Sequence, residues 1–341
     1  GNALVDMYAK CGFPEKAQKV LEDLHVQDVV SWNALITGFV QQELCHEALF
    51  CFKKMQNKGF SSDEVTLICI LKACGSTGAI NTGKQIHGDI LRRGLLDKDI
   101  VLGGALVDMY AKCGMLALAQ YVLEELPFRN IVSWSSLIAG YAHQGKGYEA
   151  LKCFERMQSE GIDPNNVTFL CILTACSRTG LWDEGNSLFE SMTSKYGISP
   201  SVEHRNCIAS FLGFIGHFDK AMLLAQMIPP CDYDVLWLAL LSACRKWGKV
   251  KLGRLAFDQA IHLDNNLAAA YVLMGSIYAA AGMEEDADII ESLRARNFAL
   301  KKTIHVDSFS TFSIAHKEGS YSEDILKNFV LKMLEEEKHC G

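Results

Sequence analysis

Apolar residues recur along this chain at intervals of three and four, in short runs separated by glycine, proline or polar clusters. In the first run Leu4, Met7 and Tyr8 share one helical face, and Gly12 follows as a stop. Pro14 then opens a second segment, where its missing N–H costs little, and Ala17, Val20, Leu21 and Leu24 form the stripe of an amphipathic helix. The alternation with period two that marks half-buried strands is essentially missing. The pattern predicts pairs of short helices joined by tight turns. Two such helices cannot cover both stripes alone, so neighbouring hairpins must stack.

The pattern also repeats. The word "ALVDMYAKCG" stands at 3–12 and again at 105–114, and its neighbourhood returns with it. "VVSWNALI" at 29–36 becomes "IVSWSSLI" at 131–138, and "EVTLICILKAC" at 64–74 becomes "NVTFLCILTAC" at 166–176. The offset is 102 residues each time, divided into units of 35, 36 and 31 that restart at Val29, Glu64 and Ile100. A fixed period of this length marks a repeat array, so the 341 residues need not divide into two or three ordinary domains. The expected fold is an all-α solenoid of stacked helix-turn-helix repeats; the pattern alone leaves its hand open.

Composition narrows the chemistry. The chain is 49% hydrophobic and 21% charged, with no low-complexity run and no stretch near the ~20 apolar residues of a membrane span, so no membrane partner is expected. It opens inside a repeat, so a targeting peptide is expected upstream. Thirteen cysteines include no C-x-x-C pair, and several, Cys69, Cys74, Cys171 and Cys176 among them, recur with the repeat as small packing residues. Reduced core thiols and no bound metal or cofactor are expected. The net charge of −7 lacks the basic excess usual in a nucleic-acid binder.

Three motifs invite chemistry and lose it on inspection. "GAINTGKQ" at 78–85 and "GYAHQGKG" at 140–147 fit the opening of a phosphate-binding loop but supply no Ser or Thr for magnesium and follow no strand. "HKE" at 316–318 matches half of a zinc-deaminase signature without the cysteine pair that must complete it. No nucleophile–base constellation suggests catalysis, and the chain is not expected to be an enzyme.

The cycle of 35, 36 and 31 residues, with "VVSWNALITGF", "VTFLCILTACSRTGLWDEGNSLFESM" and "ALVDMYAKCG", resembles the plant pentatricopeptide repeat proteins of the PLS class. The resemblance divides 1–233 into motifs at 1–28, 29–63, 64–99, 100–130, 131–165, 166–201 and 202–233. It makes 234–302 similar to the tetratricopeptide-like E motifs of editing factors, and 303–341 similar to a degenerate E+ extension. It implies a right-handed superhelix that reads single-stranded RNA one base per repeat.

In that family the fifth and last residues of a motif face one base edge. Carried over, the pairs are Asn2 with Asp28 and Asn33 with Asp63, both implying uridine, and Ser135 with Asn165, implying adenosine. Gly104 with Asn130 lacks one reading side chain, and Ile68 with Asp99 and Leu170 with Ser201 carry apolar fifth residues. Asn206 stands fifth in the last short motif, its partner being Asp232 or Asp234. Val30, Val101 and Val132 hold the second position, which in the family sandwiches bases. Asp28, Asp63, Asp99, Asn130 and Asn165 also stand just before a predicted helix, where such residues cap, and both roles can hold together. Lys10 and Lys112 stand where a helix could meet phosphates, or simply in solvent.

The resemblance implies a specificity factor for cytidine-to-uridine editing of organellar RNA, in mitochondrion or chloroplast. A DYW-type deaminase and organellar editing-factor proteins would act in trans. The alternative is a peptide-binding scaffold without RNA contact, since "AFDQAIHLDNNLAAAYVLMGSIYAAAG" at 256–282 is similar to tetratricopeptide repeats.

Overall fold

The first helix of several repeats is started by a side-chain cap. In the computed structural model, which describes residues 1–24, 26–218, 220–221 and 233–307, the carboxylate of Asp63 accepts the backbone N–H of Thr66 at the head of a helix spanning Glu64–Thr77. Asp28, Asp99 and Asn130 do the same for the helices Val29–Gln41, Ile100–Lys112 and Ile131–His143. Each cap of this kind is worth about 1 kcal/mol. Helix ends are set by glycine: Gly12 and Gly114, at φ 80° and 76°, take the left-handed turn that closes the two copies of the ten-residue word.

All the described helices but the last are of nine to fifteen residues, and no strand occurs among the described residues. In chain order they are α1 (Asn2–Lys10), α2 (Pro14–Asp23), α3 (Val29–Gln41), α4 (Cys45–Asn57), α5 (Glu64–Thr77), α6 (Ile80–Arg93), α7 (Ile100–Lys112), α8 (Leu116–Glu125), α9 (Ile131–His143), α10 (Gly147–Ser159) and α11 (Asn166–Thr179). Then come α12 (Trp182–Ser194), α13 (Val202–Ile215), α14 (Tyr233–Trp247), α15 (Val250–Leu263), α16 (Ala268–Ala280) and α17 (Glu284–Asp307).

The chain divides into two compact units, Gly1–Thr179 and Gly180–Gly341. In the first, the odd-numbered helices form a stack in chain order, α1 on α3, α3 on α5, and so to α11, while each even-numbered helix packs on the odd helices either side of it in sequence. The closest approaches occur at glycines. A Cβ on Gly38 of α3 would stand 2.4 Å from the Cβ of Ala9 on α1, and one on Gly140 of α9 would stand 2.9 Å from that of Ala111 on α7.

Stacking, not local sequence, decides burial. In α7 the side chains of Leu106 and Met109 are wholly buried, while their counterparts Leu4 and Met7 in α1 are 45% and 43% exposed. The same residues in the same helix differ because α7 has α5 against it and α1 is the first helix described.

In the second unit α13 packs on α14, α14 on α15 and α16, and α16 on α17. Aromatic contacts fill its seams: Trp182 stacks on Phe211 with ring centroids 5.3 Å apart, and Phe257 meets Tyr271 edge-on at 5.2 Å.

Candidate nucleic-acid interface

The two positions singled out in each repeat meet in space. Asn33 Nδ2 on α3 donates to both carboxylate oxygens of Asp63, at 2.9 and 2.8 Å. Asp63 Oδ1 also accepts the Thr66 backbone N–H at 2.9 Å, so capping and pairing share one carboxylate. The Thr66 hydroxyl completes the group, 2.8 Å from Asp63 Oδ1 and in hydrogen-bond contact with Asn33 Oδ1. Among the described residues, Asp63 Oδ2 accepts from Asn33 alone, which leaves it acceptor capacity to spare.

Asn2 and Asp28 repeat the pairing at 3.0 and 2.9 Å in a more exposed setting. The backbone N–H of Ser31 and then the Asn2 amide hold the Asp28 carboxyl below its ordinary range. In the third pair Ser135 and Asn165 meet through Thr168, whose hydroxyl lies 2.8 Å from Ser135 Oγ and donates to Asn165 Oδ1 at 3.0 Å. Asn165 Oδ1 also accepts the Thr168 backbone N–H, so its NH2 group is what remains unused.

The other positions are incomplete as pairs. Asn130 caps α9, but opposite it Gly104 is buried, with Val132 Cγ1 4.0 Å from where a Cβ would stand. Asp99 caps α7 through the N–H groups of Val101 and Leu102, and its partner position holds Ile68. Asn206 Oδ1 is buried without a hydrogen-bond partner among the described residues. Asp232 and the side chain of Asp234 lie outside those residues, as does the "HKE" motif. Leu170 and Ser201 fall in different units. Lys10 and Lys112 are tied to Asp6 and Asp108 at 2.8 and 2.7 Å, one helical turn away. The two phosphate-loop look-alikes are helix turns: Gly83 is buried against Met109, and Gly145 supplies a left-handed turn.

Beside the pairs runs a row of exposed apolar side chains. Val30, Val101 and Val132 are 62%, 58% and 59% exposed, each the second residue of its helix. Val65 and Val167, at 52% and 59%, belong to the same row and escaped the sequence reading. Their signal is present in the sequence, since both fall second in their units. At the corresponding position of α13, in the second unit, stands Glu203.

Chemically, the Asn33–Asp63 pair offers a spare N–H from the amide beside a spare carboxylate acceptor. That is complementary to a planar heterocycle edge with C=O next to N–H. The Ser135–Asn165 pair offers amide N–H groups instead, complementary to a bare ring nitrogen. Exposed valines on successive helices supply apolar walls for the ring faces. No cluster of three or more His, Cys, Asp or Glu residues fit to hold a metal occurs among the described residues, and none of the described helices is long and apolar enough to cross a membrane.

Comparisons with known proteins recover the same repeat. A model of the PPR repeat family matches residues 27–76 and 129–178, ranges themselves 102 apart, and a PPR repeat model matches 2–29 and 167–196. A putative pentatricopeptide repeat-containing protein of Arabidopsis thaliana is 38% identical over 326 residues, 95% of this chain and 39% of the relative. A mitochondrial pentatricopeptide repeat-containing protein of the same plant is 39% identical over 296 residues, covering 86% of this chain and 46% of its own length. A chloroplastic one is 36% identical over 318 residues, covering 93% and 43%. The chain thus spans less than half the length of each. Among solved structures, the pentatricopeptide repeat protein PPR10 in complex with an 18-nt psaJ RNA element matches with a TM-score of 0.69 at 18% identity, over 86% of this chain and 44% of that one. The likeness shows the shared helical repeat fold.

Proposed function

The chain is a pentatricopeptide repeat protein, homologous to Arabidopsis thaliana proteins of that kind, and on that premise we propose that it binds single-stranded organellar RNA sequence-specifically, as a specificity factor for cytidine-to-uridine editing. In this reading the repeat motifs of residues 1–233 take one base each, and the E-like region at 234–302 recruits a DYW-type deaminase and editing-factor proteins in trans. The compartment is mitochondrion or chloroplast, in keeping with the names of two relatives.

The observation that carries the reading is the Asn33–Asp63 pair standing next to the exposed row that includes Val30 and Val65. A base slipped between successive valines turns its Watson–Crick edge to the pair. Uracil offers O4 to the Asn33 amide and N3–H to the Asp63 carboxylate, the complement of what the pair has to spare. At Ser135–Asn165 the outward amide suits the bare N1 of adenine. Valine walls contribute less than the ~1–3 kcal/mol per base of an aromatic platform, so edge contacts must carry the discrimination.

The test is competition binding of RNAs that differ only at the base facing Asn33 and Asp63. Uridine is expected to win, and Asn33→Thr is expected to move the preference towards guanosine, as the family pairs Thr with Asp. Binding that weakens equally for all four bases would make Asn33 a structural residue and remove the reading.

A further inference from the structure

Two buried hydroxyls stand where reading pairs meet. Thr66 is the third residue of α5 and Thr168 the third of α11, and both are fully buried. At the heads of α3 and α9 the third residue is serine, and its hydroxyl is spent on the cap. Ser31 Oγ donates to the Asp28 carbonyl at 2.8 Å and accepts the Asp28 N–H at 3.1 Å; Ser133 does the same with Asn130 at 2.9 and 3.1 Å. The threonines differ. Their backbone N–H groups serve the caps, which leaves the hydroxyl of Thr66 to Asn33 and Asp63, and that of Thr168 to Ser135 and Asn165. The one capping contact to either hydroxyl, from the Asn165 N–H to Thr168, is long at 3.4 Å.

An amide side chain has a donating end and an accepting end, and a half-turn of its last bond exchanges them. Which end meets a ligand therefore decides which ligand fits. Thr66 carries a donor to Asn33 Oδ1, so that oxygen is held inward and Nδ2 is held against Asp63 with one N–H to spare. Reversing the amide would place its oxygen against a carboxylate and give up the bond from the Thr66 hydroxyl to that oxygen. The Thr168 hydroxyl and N–H likewise hold Asn165 Oδ1 inward and its NH2 outward. Asn2 is oriented by the Asp28 carboxylate alone and lacks this second hold on its oxygen, because the Ser31 hydroxyl is spent on the cap.

We propose that Thr66 and Thr168 are specificity-determining positioning residues, each fixing with its buried hydroxyl the donor–acceptor orientation of the pair it joins, and so the class of base edge that pair accepts. The proposal rests on the RNA-reading function above. It makes the third residue of the following repeat part of the reading unit, and it assigns Asn2–Asp28 a less strict preference than Asn33–Asp63.

The experiment uses the 341-residue chain and RNAs that carry uridine or cytidine, bases of equal size, opposite Asn33 and Asp63. Thr66→Val keeps shape and the capping N–H but removes the hydroxyl. The uridine-to-cytidine ratio is expected to fall about tenfold, by analogy with loss of one bidentate base contact, and Thr66→Ser to restore it. A purely structural role would weaken both RNAs alike and leave the ratio unmoved. Thr168→Val, read as adenosine against guanosine opposite Ser135 and Asn165, gives the same test at a second site should the first variant fold poorly. An undiminished ratio in a folded valine variant overturns the proposal while leaving the RNA-reading function intact. A wild-type chain that prefers neither base overturns that function and the proposal with it.

Discussion

Replacing glycine by alanine on an exposed helix stabilises it by about 1 kcal/mol, because alanine loses less backbone freedom on folding. Gly38 and Gly140 should reverse that sign. A Cβ on Gly38 would sit 2.4 Å from Ala9 Cβ and 3.0 Å from Ala9 Cα, and the second of these atoms is backbone that cannot swing away. On Gly140 it would meet Leu116 Cδ2 at 2.7 Å and Ala111 Cβ at 2.9 Å. Overpacking of this kind costs about 1–3 kcal/mol; the backbone contact puts Gly38 in the upper part of that range, about 2–3 kcal/mol, so with the propensity gain of about 1 kcal/mol subtracted a net loss of about 1–2 kcal/mol remains. Gly88 on α6, where an added Cβ meets nothing within 4 Å, is the internal control and should gain about 1 kcal/mol as alanine. Far-UV circular dichroism during urea and thermal unfolding reads all three. At about 2–4 °C per kcal/mol for a unit of this size, Gly38→Ala and Gly88→Ala should fall on opposite sides of wild type. If Gly38→Ala proved as stable as wild type or more so, α1 and α3 would not lie at this distance, and the stacking order of the first unit would be wrong.

Glu43 sits at φ 60°, where its counterpart 102 residues later is Gly145 at φ 66°, so Glu43→Gly should stabilise by about 0.5–1 kcal/mol in the same assay. Because the Asp28 carboxyl titrates below its ordinary value of 3.8, the stability it lends is present above that pH and is lost as pH falls through the lower folded value. Asp28→Asn should flatten the acid limb of a stability–pH curve below about pH 4, and an unchanged limb would mean that neither the Ser31 cap nor the Asn2 pairing holds the carboxylate in solution. Burial pushes the thiols of Cys51, Cys153 and Cys171 up to about 11 and those of Cys74 and Cys244 to about 12, so iodoacetamide at neutral pH should label exposed Cys11 well before any of them. With Lys10 and Lys112 neutralised by Asp6 and Asp108, log K against log salt for RNA binding should have a shallow slope, on the order of one to three. A slope as steep as that of a basic nucleic-acid binder would require cationic groups other than Lys10 and Lys112 at the RNA backbone.

The helical hairpins were legible because capping and stop signals are local. Asp63 ahead of "EVTLIC" and Gly12 after "ALVDMYAKC" each act within a few residues of the helix they bound, so the predicted unit starts at Val29, Glu64 and Ile100 coincide with helix starts. Burial was less legible. The ten-residue word is identical at both places, yet only its second copy has a hairpin stacked against it, and no local sequence carries that information. The Asp63 carboxylate serves cap and pair at once, Oδ1 taking the Thr66 N–H while Oδ2 accepts from Asn33. Thr66 went unremarked because its part depends on Asn33, which lies 33 residues earlier and meets it only once α3 and α5 pack. The division of the chain at Thr179 leaves no mark in the repeat period either.

Asp63→Asn separates reading from capping in a single substitution. Asn130 and Asn165 already cap helices in this chain through the third-residue N–H, each at 2.9 Å, so an asparagine at 63 keeps the cap and the fold. What changes is the outward group, from a carboxylate that accepts to an amide that donates. Equilibrium binding to four RNAs that differ only at the base opposite Asn33 should then move from a preference for uridine, whose ring nitrogen carries a hydrogen, towards bases whose ring nitrogen is bare. A preference that stays on uridine, or an affinity that falls equally for all four bases, would contradict direct reading of RNA by these pairs.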